Sequence, residues 1–504
     1  MASFCIPKEL SKKFVSAIRG GKISPEQLAK MTPEQRREYL NSYFGESTEG
    51  LNKLIEKDLL QKDKKSYITD DEVKNISEMA KEIQVTKEKI TPDMPNGSKE
   101  RLDYGTARAV FQEYVGELKT SNKKPIFYIK NPKEAFIDLS GAVKSTITSL
   151  DNSFFGRQGL KVLFTNPSTW YKGFKKSWSD IGKELKGQDA MIPIKADVLS
   201  RQNALNGKYK QAKLAVDVLS EEAYPSSLPE KIPMFGRLFK ASESAFNGAA
   251  LRLRSDLFDK YIKKAEEMGM DIDDPVRLES YGKLVNSLTG RGNIGKLEGI
   301  SPEVNATFFS VKFLKSNFDT LTAHLLDPKM STETKKIAAN NLAKIVTGIA
   351  TTLYVAEQMQ PGSVETDPTS ANFGKIKIGS TRFDVTGGMA SMVTLAMRLM
   401  KNQTKSSNTG KVTKLGTGKF GSRTRWDVVG DYFEGKLSPV AGVIRDYMKG
   451  EDYDGNKPTV KSTVENLVTP MPIQDLQELL DNPDSANVIM SMIASGLGIS
   501  ISTY

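Results

Sequence analysis

Hydrophobic positions along the 504-residue chain recur mostly at spacings of three and four, the period of an amphipathic helix. Leu10, Phe14 and Ile18 set one such face before Gly20-Gly21. Ser24-Pro-Glu-Gln27 and Thr32-Pro-Glu-Gln35 follow as consecutive helix starts, each with a hydroxyl N-cap, proline at the first helical position and Gln where a capping box wants it. Thr69-Asp-Asp-Glu72 opens another helix, and the polar segment 84–97 reads as a linker before a helix over 98–118. After Asn131-Pro132 a helical pattern runs towards Leu150. Further helices are predicted over 196–219, 241–268, 275–288, 389–400, 425–433, 439–449 and 473–480. The most amphipathic stretch places Trp170, Phe174, Trp178, Ile181 and Leu185 on one stripe, with Lys172, Lys175, Lys176, Lys183 and Lys186 on other faces. A core-facing helix is the commonest source of such a stripe; a membrane-interfacial or partner-binding helix is the alternative.

Strict alternation is clearest at one place. Lys375-Ile-Lys-Ile-Gly-Ser-Thr-Arg-Phe-Asp384 is a β-hairpin signal with a two-residue Gly379-Ser380 loop. Its register puts Ile376 opposite Phe383 and Lys375 opposite Asp384. It also leaves Lys377 facing Arg382, a like-charge pair that belongs in solvent or against an anion. The expectation is therefore a mainly α, multi-helix chain, elongated or multi-domain, with one small β-hairpin. Three regions are drawn: an N-terminal helical region over 1–130, a central helical domain over 131–330, and a C-terminal helical domain with the hairpin over 331–504.

Two uncharged runs qualify this picture. Residues 345–356 are too short to span a bilayer and read as a buried helix. Residues 485–504 are long enough, but six Ser or Thr residues, Asn487 and two glycines lower their hydrophobicity; docking onto the protein is preferred over conditional membrane insertion. The N-terminus shows no secretory pattern of a basic start followed by an apolar core.

Charge changes the picture more than composition does. Seventy-two Lys and Arg against 61 Asp and Glu give a net +11, which favours nucleic acid or an anionic membrane as partner, although the excess is spread along the chain. The single cysteine, Cys5, excludes an internal disulfide and any cysteine-based zinc site. The single histidine, His324, reads as a structural residue.

Candidate chemistry is sparse. Gly290-Arg-Gly-Asn-Ile-Gly295-Lys296 fits two nucleotide-binding patterns, but a helix precedes it where a strand is needed, and Leu297 stands where Mg²⁺ requires Ser or Thr. A helix-ending turn is preferred. Residues 401–424 read as a loop rich in Lys, Gly, Ser and Thr, in which Lys411, Lys414, Lys419, Arg423 and Arg425 surround Gly416-Thr-Gly418-Lys-Phe-Gly421. With Lys377 and Arg382 they form the candidate anion or nucleic-acid contact; the alternative is a solvated connector. Asp452, Asp454 and Asn456 resemble the start of a calcium loop, but Lys457 replaces its glycine, and an ordinary turn is preferred. No catalytic, metal or cofactor set stands out, and the expectation is a non-enzymatic protein without cofactor.

From the central region onward several ordered segments carry a resemblance. They are Phe155-Gly-Arg-Gln-Gly159, Ala241-Ser-Glu-Ser-Ala-Phe246, Leu251-Arg-Leu-Arg254, Leu288-Thr-Gly-Arg-Gly292 and Asp367-Pro368. Phe373 to Asp384, Lys405 to Lys411, Lys436-Leu-Ser-Pro439 and the closing Tyr504 continue the set. Together, over about residues 135–504, they resemble the large polyvalent protein-associated domain of bacteriophage and prophage polyproteins. The resemblance implies a viral protein packaged in the virion or delivered with the genome, and it carries no catalytic residues. On a chain of this length it favours a dedicated internal virion or DNA-ejection protein over a multi-enzyme polyprotein. The implied partners are portal or tail proteins, double-stranded DNA, the host membrane and other copies of the chain. The alternatives are an injected host-modulating or DNA-processing factor and a basic nucleic-acid-binding scaffold.

Overall fold

The computed structural model describes residues 70–121, 132–147, 154–216, 236–379, 381–407, 409–416, 422–452, 457–459, 463, 467 and 500–503. Outside them lie Cys5, the expected helix starts at Ser24 and Thr32, Lys419, Asp454 and Asn456, the helix expected over 473–480, and most of the uncharged tail. The described residues form a mainly α, multi-helix fold with two small antiparallel sheets.

The backbone contacts group the chain into two units. The first takes residues 1–132, 189–211 and 216–223, so part of the region expected to be one central domain returns to the N-terminal unit. Its helices are α1 (Asp70–Glu88) and α2 (Lys99–Ser121), followed after the other unit's first helices by α6 (Met191–Ser200), α7 (Gln202–Leu205) and α8 (Lys208–Gln211). Ile76, Ala80, Tyr104, Ala109, Val115, Ile194 and Val198 are buried here. The single helix expected over 196–219 is three short ones. Arg201 leaves the helical region at φ −65°, ψ 149°, and Gly207 turns the chain at φ +73°.

The second unit holds α3 (Pro132–Ile147), α4 (Leu160–Thr165), α5 (Pro167–Leu185), α9 (Gly236–Glu267) and α10 (Pro275–Leu288). It continues with α11 (Ser301–Thr307), α12 (Val311–Leu326), α13 (Thr332–Met359), α14 (Met389–Lys401), α15 (Arg425–Glu434) and α16 (Pro439–Lys449). Phe154, Phe155, Val162, Leu253, Leu257, Phe258, Leu278, Val285 and Ile345 are fully or almost fully buried. Ser438 ties the late helices to the earlier ones: its N–H donates to Thr307 O at 2.8 Å and its hydroxyl also accepts from Ala441 N as the N-cap of α16.

The hairpin forms in the expected register. β1 (Lys375–Ile378) and β2 (Thr381–Asp384) pair Ile376 with Phe383, Lys375 with Asp384 and Lys377 with Arg382. A third strand, β5 (Ser500–Thr503), covers the other edge of β2, so the chain's last described residues do dock on the protein. Residues 401–424 are more than a loop. β3 (Gln403–Lys405) and β4 (Val412–Lys414) make a second hairpin.

The run 345–356 is helical, within α13, but it is not buried as expected. The buried face of α13, Thr334, Ala338, Asn341 and Ile345, lies in its first half. Beyond it Gly348 meets the Phe164 ring, while Val346, Tyr354 and Val355 are exposed. An uncharged run reports that a helix carries no ions, not that both its faces are covered.

The glycine-rich turn after α10 is structural. Thr289 caps the helix, and Gly290 takes φ +82°. Gly292 lies so close to α12 that a Cβ there would stand 2.5 Å from Ser316 N. The buried Arg254 closes the turn, donating to Thr289 Oγ1 at 3.0 Å and to Ala215 O at 2.8 Å.

Candidate nucleic-acid interface

α14 stops because Asn402 takes the left-handed conformation, φ 53°, which turns the chain out of the helix and into β3. Asn402 then acts as a junction. Its carbonyl accepts from Leu415 N at 2.9 Å and its side-chain amide donates to Leu415 O at 3.0 Å, fastening the far end of β4. Its Oδ1 accepts from Arg425 Nε at 2.9 Å, fastening the start of α15. Gly416 N donates to Arg423 O at 2.8 Å. α15 begins with a capping box: Thr424 N donates to Asp427 Oδ2 at 2.6 Å and Asp427 N donates to Thr424 Oγ1 at 3.2 Å. The backbone N–H and hydroxyl of Thr424, aided by Arg423, hold the Asp427 carboxyl below its usual range.

This junction ties Arg425 and Leu415, the residue after Lys414, to one asparagine, with Lys401 one residue before it and Lys411 just ahead of β4. All four cations are exposed. Lys411, Lys414 and Arg425 make no ion pair among the described residues, and Lys401 lends its charge to lowering Asp367. Trp426, beside Arg425, is 82% exposed. The expected cation Arg423 is different: it is paired with Asp431 and its charge is answered. Lys419 lies outside the described residues. Lys377 and Arg382 face each other on the other sheet, Lys377 exposed and Arg382 half-buried, so that pair is not part of this cluster.

The carboxylates beside β3 are satisfied. Lys405 bonds Glu365 at 2.7 Å. Burial pushes the Glu365 carboxyl up, but hydrogen bonds from Lys405 and from Asp367 N, with the Lys405 charge, hold it below its ordinary range. Asp367 accepts from Thr369 N at 2.9 Å and from the Thr369 hydroxyl at 2.8 Å, which together with Lys405 and Lys401 keep it ionised. Arg398 Nε donates to Thr369 O at 2.7 Å and pins this loop to α14. The carboxylates near Lys405 are answered locally, whereas Lys411, Lys414 and Arg425 have no ion pair among the described residues and stand with an exposed aromatic ring in the same segment. That combination binds phosphate by charge and offers a ring face to a base or sugar.

The aromatic stripe of α5 is also not where a core-facing helix would put it. The face α5 buries is Gly173, Ser177, Asp180 and Glu184. Gly173 is required there, since a Cβ would stand 2.4 Å from Leu253 Cδ1 of α9. Asp180 pairs with Arg252, and Glu184 accepts from Ser244 Oγ at 2.8 Å. Trp170, Phe174 and Trp178 instead form a ladder along the flank. The first two rings stack at 5.0 Å, and Trp178 meets Phe174 edge-on at 6.2 Å. Phe155 caps one end, taking the Trp170 Nε1 hydrogen bond on its carbonyl at 3.2 Å. Ile181 is half-buried, and Trp178 and Leu185 are exposed.

Sequence reading missed Lys161. It sits inside the apolar pentapeptide Leu160–Phe164, is 1% exposed, and donates to Ser287 O, Ser316 Oγ at 3.1 Å and Asn317 Oδ1 at 3.0 Å. Burial drives its pKa down to about 7, with Asp319 opposing the shift. A lone lysine amid apolar residues at a helix start was the available signal.

Among the described residues no helix is long and apolar enough to cross a membrane, and no three His, Cys, Asp or Glu side chains gather as a metal site. No family model, curated protein or solved structure matches the chain.

Proposed function

We propose that the protein is a non-catalytic component of a bacteriophage particle that contacts double-stranded DNA through the face built on Asn402. The observation that carries the DNA contact is the set of exposed cations, Lys401, Lys411, Lys414 and Arg425, beside the exposed Trp426. Lys411, Lys414 and Arg425 have no ion-pair partner among the described residues, and like charges in one segment are relieved by a polyanion. The viral half of the reading rests on the ordered segments from Phe155 to Tyr504 that resemble phage polyvalent proteins. In this role the protein is made in the host cytoplasm, enters the virion as one of several copies against the portal or tail, and leaves with the genome as an internal virion or ejection protein.

Two measurements test the two halves. Mass spectrometry of purified particles should find the chain; its absence removes the virion role. Binding to a duplex of arbitrary sequence should weaken linearly in log salt, and the Lys411→Ala/Lys414→Ala/Arg425→Ala variant should show a shallower slope. A salt-independent or variant-insensitive interaction removes the DNA contact.

A further inference from the structure

We propose that the outer surface of α5 is a docking site for an anionic lipid surface, on which the helix lies flat. The argument starts from what the helix turns inward. α5 has two carboxylates, Asp180 and Glu184, and both belong to its buried face, answered by Arg252 and by Ser244. The remaining surface therefore carries cations and no anions. Lys172, Lys175, Lys176 and Lys183, with Lys186 just past the helix end, are all exposed, and none has an ion-pair partner among the described residues.

The arrangement of these groups selects the partner. With successive residues about 100° apart, Trp170, Ile181, Phe174, Leu185, Trp178 and Tyr171 occupy one continuous flank about 100° wide. The lysines fill the adjoining flank, and the buried face closes the circle. Tyr171 is 62% exposed, Trp178 47% and Leu185 46%. A polyanion such as DNA would use the lysines and leave an apolar flank in water. A neutral apolar partner would use the flank and leave the lysines unanswered. A layer of acidic headgroups over acyl chains uses both: the rings and Leu185 settle at the boundary while the lysine stems reach back to the phosphates. The stacked Trp170–Phe174 pair and its Phe155 buttress hold the flank rigid before contact, so little side-chain order remains to be imposed.

The test uses the full chain and vesicles of phosphatidylcholine with or without phosphatidylglycerol. The expected result is co-sedimentation with the acidic vesicles only. A Tyr171→Ser/Trp178→Ser/Leu185→Ser variant, whose side chains lie outside the buried face, should lose binding at least tenfold with an unchanged circular-dichroism melt. A Lys172→Glu/Lys175→Glu/Lys176→Glu variant should lose it as well. In a Trp426→Phe background, brominated lipid should quench the remaining tryptophan emission. Absence of binding, equal binding to neutral vesicles, or binding that survives the triple-serine change overturns the proposal. Loss of duplex-DNA binding or of self-association in the serine variant, with vesicle binding intact, assigns the face to DNA or to a second copy instead.

Discussion

Lys161 and Lys414 carry the same side chain into opposite circumstances. Lys161 is enclosed in the second unit, with its ammonium divided among a backbone carbonyl, an amide oxygen and hydroxyls. Lys414 stands on a strand whose three residues are all exposed, with no carboxylate to answer it. The buried cation is costly to have and more costly to remove, because its acceptors are left unmet. The surface cation contributes almost nothing to the fold and is free to meet a ligand. The net charge of +11 therefore says little by itself; what each cation is bonded to separates structure from recognition.

The sharpest way to break this contrast is Lys161→Ala. It opens a cavity and leaves Asn317 Oδ1 without its donor, and should cost about 3–5 kcal/mol in chemical denaturation. Lys161→Met, which keeps the volume, should cost less. Titration gives the next effect. The folded-state pKa of Lys161 is about 7 against an ordinary 10.5, so between these values the unfolded chain binds more protons and stability rises with pH. This group alone contributes about 1.4 kcal/mol per pH unit over that window. Below about pH 7 both states are charged and the contribution is flat. The slope should be missing from Lys161→Met when its stability is followed over the same pH range as the parent.

The opposite result is expected on the surface. Lys401→Ala/Lys411→Ala/Lys414→Ala/Arg425→Ala should cost no more than about 1.5 kcal/mol, most of it from the lost Arg425–Asn402 hydrogen bond. Its DNA affinity should fall by about 10- to 100-fold at moderate salt, with the log–log salt slope reduced by about 0.9 for each phosphate no longer neutralised. A large melting shift would show that these cations belong with Lys161 after all. Smallest of all, Lys377→Ala/Arg382→Ala should lower DNA affinity by less than about threefold in the same titration, because that pair sits on the other sheet and Arg382 is half-buried.

Local signals were legible in the sequence wherever a short stretch decides its own geometry. The β1–β2 register follows from alternation around Gly379, and α10 and α16 start at Asp274-Pro275 and Ser438-Pro439 because cap and proline act within one turn. What needed the rest of the chain was hidden. The periodicity of α5 shows an apolar stripe but not that Leu253 demands a glycine opposite it, which turns the small and acidic face inward. In the same way, nothing near residue 161 announces that Ser287, Ser316 and Asn317 will converge on its ammonium. Lys411, Lys414 and Arg425 were visible as a cluster of charge. Asn402, the residue that gathers them, carries no charge, and its role depends on a backbone angle and on bonds to Leu415 and Arg425.

The order of the strands also sets a timetable for synthesis. β1 and β2 are neighbours and can pair as soon as they emerge, but the outer edge of β2 waits for β5. At about 5–20 residues per second, the roughly 115 residues between Asp384 and Ser500 take about 6–23 s to translate. Throughout that interval a nascent chain presents an unpaired strand edge, beside which another nascent chain on the same message presents an identical one. The last strand is thus a closing step, and the ribosome rather than the fold decides when it happens.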